Sequence, residues 1–277
     1  MLEGQRRPGT PATTARVVLL GRFDLIGEGG PVSLRLEARR LLAYLAVHPR
    51  PHAVRAVCSR LWSEVPDALA YLTMRDALDE IERRAAGVVV SSEAEIALGA
   101  HVVVDLSEAI KSIRQLDDVR GYRRQLLEPL SHDVLPDWSE TWVSVERDRF
   151  HHLRLNALEE LSRRLADAGR HADAIEVGAT AVQADPRRER ARRALIEAHL
   201  AAGNISEAVA AYDSFVELQA NAGSVPTAEL LGLFPPSPAW PVLHVRRSIM
   251  PAIHLPGLRQ EHPRRRLSAG SGYSGRG

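Results

Sequence analysis

Histidine pairs and a single cysteine are the residues of this sequence whose types and spacing could support metal binding or nucleophilic chemistry. His48 and His52 lie four residues apart, which suits two metal ligands on one helix. Pro49 and Pro51 both lie between these histidines. Because proline breaks a helix, the helical geometry that would bring the two ligands together is lost. Cys58 lies in an apolar stretch, where a small buried residue is expected rather than a nucleophile.

No other spacing in the sequence favours catalysis or cofactor binding. His151 and His152 are adjacent, so they point in different directions on a helix. Gly27-Glu28-Gly29-Gly30 is better explained as a turn between strands than as a phosphate-binding loop. The sequence therefore predicts a protein that is not an enzyme, with no cofactor, no metal ion and no small-molecule substrate.

Charge is distributed unevenly along the chain, although the net charge is only +1. Residues 1–105 are net neutral and residues 106–235 carry a net −5, whereas residues 236–277 carry seven arginines against Glu261. This C-terminal segment either adds sequence-independent affinity for DNA or merely aids solubility. No apolar run is long enough to span a membrane and no signal-like stretch follows Met1, so a cytoplasmic protein is expected.

Two segments of the sequence match each other at an offset of 34 residues. Ala168-Gly169 matches Ala202-Gly203, and Ala174 matches Ala208. This is the period of the tetratricopeptide repeat, in which each unit is a pair of antiparallel helices that cannot bury its apolar face alone. A glycine with positive φ suits the reversal between the helices of a pair. The repeat predicts stacked helical hairpins, whose surface binds other chains.

The first hundred residues show a different pattern. Short apolar runs between turn residues predict strands over residues 16–34, and helical spacing then predicts three helices. Further apolar runs predict a closing β-hairpin; they lie at residues 88–90, 95–98 and 101–104. Strands, three helices and a hairpin in this order are typical of a winged helix of the response-regulator type.

The predicted fold class is thus an α+β winged helix followed by an all-α tetratricopeptide-like domain. The winged helix is expected over residues 15–105 and the helical domain over residues 106–234. Residues 1–14 and 235–277 are rich in polar residues, proline and glycine, and are expected to be disordered.

Several groups of residues resemble those of a known protein family. Residues 41–51, followed by Ser59-Arg60-Leu61-Trp62, are similar to the first two helices of its DNA-binding half. Asp133-Val134-Leu135-Pro136-Asp137-Trp138 and the later runs 165–170 and 184–189 are similar to its second half. These residues resemble the Streptomyces antibiotic regulatory protein (SARP) family, whose second half is a bacterial transcriptional activator domain. The resemblance covers residues 16–234 and implies a bacterial transcription factor that binds promoter DNA and recruits RNA polymerase.

The resemblance also implies which residues contact DNA. The helix Thr73–Ala86 would enter the major groove, as recognition helices do. Its base or phosphate contacts would be Arg75, Arg83 and Arg84. Phosphate contacts from the two preceding helices would come from Arg39, Arg40 and Arg60, for which a plain solvated surface is the other interpretation.

The sequence departs from the family in this recognition helix. Members usually carry Val-Ser-Arg-Leu-Arg-Arg where this chain has residues 78–83, so that Glu80 and Glu82 stand at positions that are usually basic. Glu80–Arg84 and Asp79–Arg83 are i,i+4 pairs that could neutralise the arginines locally. Carboxylates repel phosphates, although they can accept a hydrogen bond from cytosine N4.

Two functions therefore remain open at the level of sequence. The first is a DNA-binding transcriptional regulator, with an activator domain that contacts RNA polymerase or forms a homodimer. The second is a protein-interaction module whose winged helix has lost specific DNA binding. In both, we expect Trp138 and Trp142 to be buried where the helical domain meets the winged helix, and Trp62 to lie in the core.

Overall fold

Three short strands begin the part of the chain that the computed structural model describes, residues 15–115 and 121–234. They are β1 (Arg16–Val18), β2 (Asp24–Gly27) and β3 (Gly30–Pro31). The strands form an antiparallel meander in which Val17 pairs with Leu25, and both side chains are buried. Gly30 makes the turn into β3 with a φ of +107°, which glycine adopts without strain. The disorder expected for residues 1–14 and 235–277 concerns residues outside the described part.

Three helices follow the strands, in agreement with the spacing of apolar residues in the sequence. They are α1 (Leu36–Val47), α2 (Val54–Leu61) and α3 (Asp67–Arg84), with a short strand β4 (His52–Ala53) before α2. Both α1 and α2 pack against α3. Met74 and Ile81 are the large buried residues of α3, and Trp62 is buried directly after α2, as predicted.

The last strands of this part divide between two sheets. β5 (Val89–Ser91) and β6 (Glu95–Leu98) form an antiparallel hairpin, and β4 adds to the free side of β6. β7 (Val103–Val104) instead pairs in parallel with β1. The sequence had assigned residues 101–104 to the hairpin. β7 joins β1 instead, because Val104 is buried beside Val17, and it thereby completes the first sheet.

Asp105 joins this sheet to the helix that follows, α4 (Asp105–Gln115). Its side chain is only 8% exposed, and its carboxylate accepts hydrogen bonds from the backbone N–H groups of Leu19, Leu20 and Leu106 at 2.7–3.1 Å. Burial raises the pKa of Asp105, while the hydrogen bonds from these N–H groups act against the rise. Asp105 thus satisfies backbone donors where β1 ends and α4 begins.

The remainder of the described chain is helical. After a 3₁₀ turn at Arg124–Leu126 come α5 (Leu127–Leu130), α6 (Thr141–Asp167), α7 (His171–Ala184), α8 (Glu189–Ala201), α9 (Ile205–Asn221) and α10 (Ala228–Leu231). Connections of only a few residues make α6 to α9 consecutive antiparallel neighbours. The ends of α6 and α8, at Asp167 and Ala201, and the starts of α7 and α9 repeat at the offset of 34 residues seen in the sequence.

Glycine has a distinct role at three points of this helical part. Gly169 and Gly203 have φ values of +73° and +77° where α6 and α8 reverse, as the repeat predicts. Gly178, inside α7, allows close approach, because a Cβ there would lie 3.0 Å from Leu195 Cα and 3.1 Å from Ser162 Oγ. Helices α6, α7 and α8 therefore meet at this glycine.

One continuous core runs from the sheet of β1 through α1 and α3 to α6, α7 and α8. A smaller core lies between α8, α9 and α10, formed by Ile196, Ala208, Phe215 and Leu230. All described residues fall in a single compact unit, and the domain boundary expected at residue 105 stays a prediction. None of the helices in the described ranges has the length and apolar character that crossing a membrane requires.

The role of Asp105 gives a prediction about stability. Asp105→Ala should lower the free energy of unfolding by roughly 3 kcal/mol, because it leaves buried N–H groups without an acceptor. Urea unfolding followed by circular dichroism measures this change. Glu108→Ala is the matched control, since Glu108 is half-exposed in the same helix and its ion pair with Arg16 is worth at most about 1 kcal/mol. Equal losses for the two variants would contradict the role of Asp105.

Candidate functional site

Helix α3 is the element that the sequence predicted to contact DNA. It begins directly after Pro66, six residues before the expected start at Thr73, and ends at Arg84. One side is buried in the core through Ala70, Met74 and Ala77. The opposite side is open to solvent over the whole length of the helix.

The outward side of α3 is a ridge of exposed residues spaced by four, three and four positions. The ridge consists of Leu72, Asp76, Asp79 and Arg83. Arg75 lies beside it, and a hydrogen bond with Tyr71 and the charge of Asp79 raise the pKa of its guanidinium. Arg83 donates from Nε to the backbone carbonyl of Asp79 at 3.2 Å. Arg75, Arg83 and Arg84 are thus all on the surface, as their predicted role requires.

Glu80, by contrast, does not face solvent. Its side chain is only 4% exposed, and it accepts hydrogen bonds from the backbone N–H of Arg35 at 2.8 Å and from Arg35 Nε at 2.5 Å. Arg35 is the residue before α1, so Glu80 satisfies a backbone donor at the start of that helix. The sequence had considered a pair with Arg84, but the partner of Glu80 is Arg35, 45 positions away. Burial by itself would raise the pKa of Glu80, but the hydrogen bonds and charge of Arg35 bring it below the usual value.

Glu82, the second unexpected acid, has a structural partner as well. Its Oε2 accepts a hydrogen bond from the backbone N–H of Gly87 at 3.0 Å. Gly87 has a φ of +76° and turns the chain from α3 towards β5. Both acids that depart from the family pattern therefore stabilise the ends of helices, and neither belongs to the outward ridge.

The three arginines predicted on α1 and α2 have different surroundings. Arg39 lies over the rings of Phe23 and Trp138, at 5.3 and 5.9 Å from their centroids. Arg40 donates to the carbonyl of Leu61 at 2.8 Å, and its Nε lies 3.2 Å from a carboxylate oxygen of Glu140. Of the three, only Arg60, in the last turn of α2, is exposed. The contacts of Arg39 and Arg40 hold α1 to its neighbours.

Aromatic residues fill the junction between α1 and α6. Trp142 is buried and meets Tyr44 edge to face, with 5.4 Å between ring centroids. Trp138 contacts both Trp142 and Phe23. The burial expected for the two tryptophans is confirmed for Trp142, while Trp138 is partly buried and precedes α6 instead of lying on it.

An open groove crosses the helical part between α6, α8 and α10. Its volume is about 810 Å³, and the lining residues are mostly charged. Arg163 pairs with Glu160 at 2.7 Å, and Arg193 pairs with Glu197 and Glu229 at 2.7 Å each. The two arginine side chains near Glu160 lower its pKa to about 2, chiefly through hydrogen bonds from Arg163 and Arg164. The groove is therefore polar, and its charges are paired with one another.

The residues considered for metal or nucleophilic chemistry are engaged in packing. Within residues 15–115 and 121–234, no three histidine, cysteine, aspartate or glutamate side chains are grouped to hold a metal ion. His52 contacts the carbonyl of His48 through Nε2 at 3.0 Å. Cys58 is buried, which raises the pKa of its thiol, and its Sγ lies 3.6 Å from the sulfur of Met74.

Comparison with known proteins agrees with the resemblance seen in the sequence. Residues 122–234 match the family model of the bacterial transcriptional activator domain. The fold is similar to that of Mycobacterium tuberculosis EmbR, solved in complex with a low-affinity phosphopeptide, with a TM-score of 0.61 and 22% identity. The alignment covers 80% of this chain and 64% of that chain, so this chain spans less than two thirds of the length of EmbR. A comparison with curated protein sequences gives no match.

The contact between Glu80 and Arg35 gives a prediction about pH. Glu80→Gln should lower the free energy of unfolding by about 2 kcal/mol at neutral pH, because it removes a charged acceptor from a buried donor. The folded-state pKa of Glu80 lies below its unfolded value, so its contribution is complete above about pH 4.3 and is lost as pH falls through the folded-state pKa. The stability difference between the variant and the wild type should therefore shrink in acid.

Urea unfolding at neutral pH and at about pH 3 measures both effects. Glu82→Gln is the control, since Glu82 is exposed and makes a single hydrogen bond. A difference for Glu80→Gln that stays constant with pH would show that the carboxylate charge does not stabilise α1.

Proposed function

We propose that this chain, a SARP-type regulator with a bacterial transcriptional activator domain over residues 122–234, controls transcription by contacting promoter DNA through an N-terminal winged helix. The observation that carries this proposal is the activator domain itself, joined to a preceding unit of the strand, three-helix and hairpin order. The similarity to EmbR extends over 80% of the chain and so includes residues outside the activator domain. A regulator of this kind acts on DNA in the cytoplasm.

The arrangement of α2, α3 and the β5–β6 hairpin supports the winged helix. α2 and α3 pack against each other and are separated by a short turn, as in a helix-turn-helix. The hairpin follows α3 directly and occupies the position of a wing. In this reading α3 enters the major groove, with its exposed ridge towards the bases.

Exposed arginines supply the phosphate contacts in this proposal. Arg83 belongs to the ridge, Arg75 lies beside it, and Arg60 and Arg84 are also open to solvent. Each arginine that neutralises a phosphate releases counterions and adds to affinity in a salt-dependent way. Arg39 and Arg40, which bind within the protein, contribute by holding α1 in place.

The helical part is the protein-binding half of the proposed regulator. Two helical pairs repeated at an offset of 34 residues fit a tetratricopeptide-like array, and α6, α8 and α10 line a groove of about 810 Å³. By resemblance to the family, its partner is RNA polymerase, and a second copy of the chain is the other candidate. The phosphopeptide named for EmbR is not carried over, since this chain spans 64% of that protein.

A second candidate function is supported by apolar residues on α3. Leu69, Tyr71 and Leu72 are 50%, 42% and 60% exposed within one stretch of the helix. An exposed apolar patch of this kind is typical of protein contacts. In this alternative, α3 docks a protein and the winged helix has lost specific DNA binding.

A mobility-shift assay over a range of salt concentrations separates the two functions. Arg75→Ala combined with Arg83→Ala should weaken the binding of genomic promoter fragments and reduce the salt slope by about 2, because two phosphate contacts are lost. Arg149→Ala combined with Arg190→Ala is the matched control, since both arginines are largely exposed and lie far from α3 in the chain.

The assay is repeated with residues 235–277 removed, because their arginines could bind DNA by themselves. The proposed function requires that sequence-selective binding persists without them. Binding that is unselective and disappears with this segment would favour the protein-interaction module.

A further inference from the structure

Two carboxylates on the outward ridge of α3 have no structural role in the described part of the chain. Asp76 is exposed, and its side chain makes no hydrogen bond or ion pair within the described part. Asp79 accepts a hydrogen bond from Arg83 through its backbone carbonyl, and its side chain acts on Arg75 through charge but accepts no hydrogen bond in the described part. Glu80 and Glu82, on the same helix, are both engaged with backbone N–H groups. The two aspartates are thus the acids that a ligand in front of α3 would meet.

We propose that Asp76 and Asp79 select cytosine in the DNA that α3 contacts. This inference rests on the proposed function, because it requires α3 to lie in the major groove. It goes beyond that function because it assigns a base preference to two named residues and explains the acidic character of the helix by hydrogen bonds to the bases.

The chemistry of the base edges supports cytosine. A carboxylate only accepts hydrogen bonds, and the donors in the major groove are cytosine N4 and adenine N6. Adenine also presents the acceptor N7 beside its donor, which repels a carboxylate, whereas cytosine offers its amino group without an adjacent acceptor. Guanine N7 and O6 and thymine O4 are acceptors and are excluded. Aspartate on this ridge therefore matches cytosine among the four bases.

The neighbouring side chains fit the same arrangement. Arg75, a phosphate contact in the proposed function, lies close enough to Asp79 for the charge of Asp79 to act on it, so a cation accompanies the aspartate at the DNA surface. Leu72 is 60% exposed one turn before Asp76 and suits the methyl group of thymine. The predicted binding site thus contains C·G pairs with a thymine beside them.

The cost of placing carboxylates near DNA is offset by the arginines around the ridge. Arg75 precedes the two aspartates on α3, and Arg83 and Arg84 follow them in its last turn, so cations lie on both sides of them along the helix. In this arrangement the aspartates in the centre of the ridge face the base edges, and the arginines at either end face the phosphates.

Selection of binding sites from a pool of random DNA duplexes tests the proposal. The wild-type chain should enrich cytosine at two positions. Asp76→Asn and Asp79→Asn should each lose that preference at one position and turn towards adenine, which asparagine binds through N6 and N7. We expect a change of about tenfold in the ratio of cytosine to adenine at that position.

Glu82→Gln is the control, because it removes the same charge from the same helix at a residue that is engaged with Gly87. It should leave the base preference unchanged and raise affinity slightly for all sequences alike. Circular dichroism confirms that each variant folds, as expected for exposed positions.

Two results would overturn the inference, and they are distinguishable. If the wild type selects a sequence but both asparagine variants keep its cytosines and only bind all DNA more tightly, the aspartates merely repel phosphate. The proposed function would then stand, but without base selection by the two aspartates. If the wild type selects no sequence at all, the proposed function fails together with the inference, and a protein partner for α3 is favoured.

Discussion

The burial of α1 on nearly every side is the constraint on which the other positions depend. Seven of its residues are buried, among them Leu41, Leu42 and Leu45, so that the helix has almost no free surface. A helix of this kind must be surrounded before it is stable, because its apolar area cannot face water. α3 packs on one side of it and Trp142 of α6 meets it on another. The orientation of α3 and its attachment to the helical part thus follow from the same packed helix.

Polar contacts then fix what apolar packing leaves free. Hydrophobic burial has no direction, whereas hydrogen bonds from a buried donor to a carboxylate are specific in geometry. Glu80 secures the start of α1 to α3, and Arg40 reaches from α1 to both α2 and the residue before α6. The acids that seemed to weaken DNA binding at the level of sequence thereby include one, Glu80, that fixes α3 against the start of α1.

Sequence patterns predicted the features that depend on local spacing. The offset of 34 residues located the ends of α6 and α8, and the reversing glycines have positive φ as expected. Features set by distant partners were missed. The i,i+4 rule considers only neighbours on one helix, so it predicted an ion pair between Glu80 and Arg84. The actual partner of Glu80 is Arg35. Likewise, the pairing of β7 with β1 was not predicted, because pairing between strands far apart in the chain leaves no periodic signal in the sequence.

The close approach at Gly178 has a consequence for the length of the array. One repeat later the equivalent position is Tyr212, a large residue whose ring lies 5.1 Å from that of Phe234. The first pair of helices is therefore shaped to receive a neighbour at contact distance, whereas the second pair is occupied by the chain's own following segment. The two units are therefore not interchangeable, because the position that admits a close neighbour in the first is filled by a large side chain in the second.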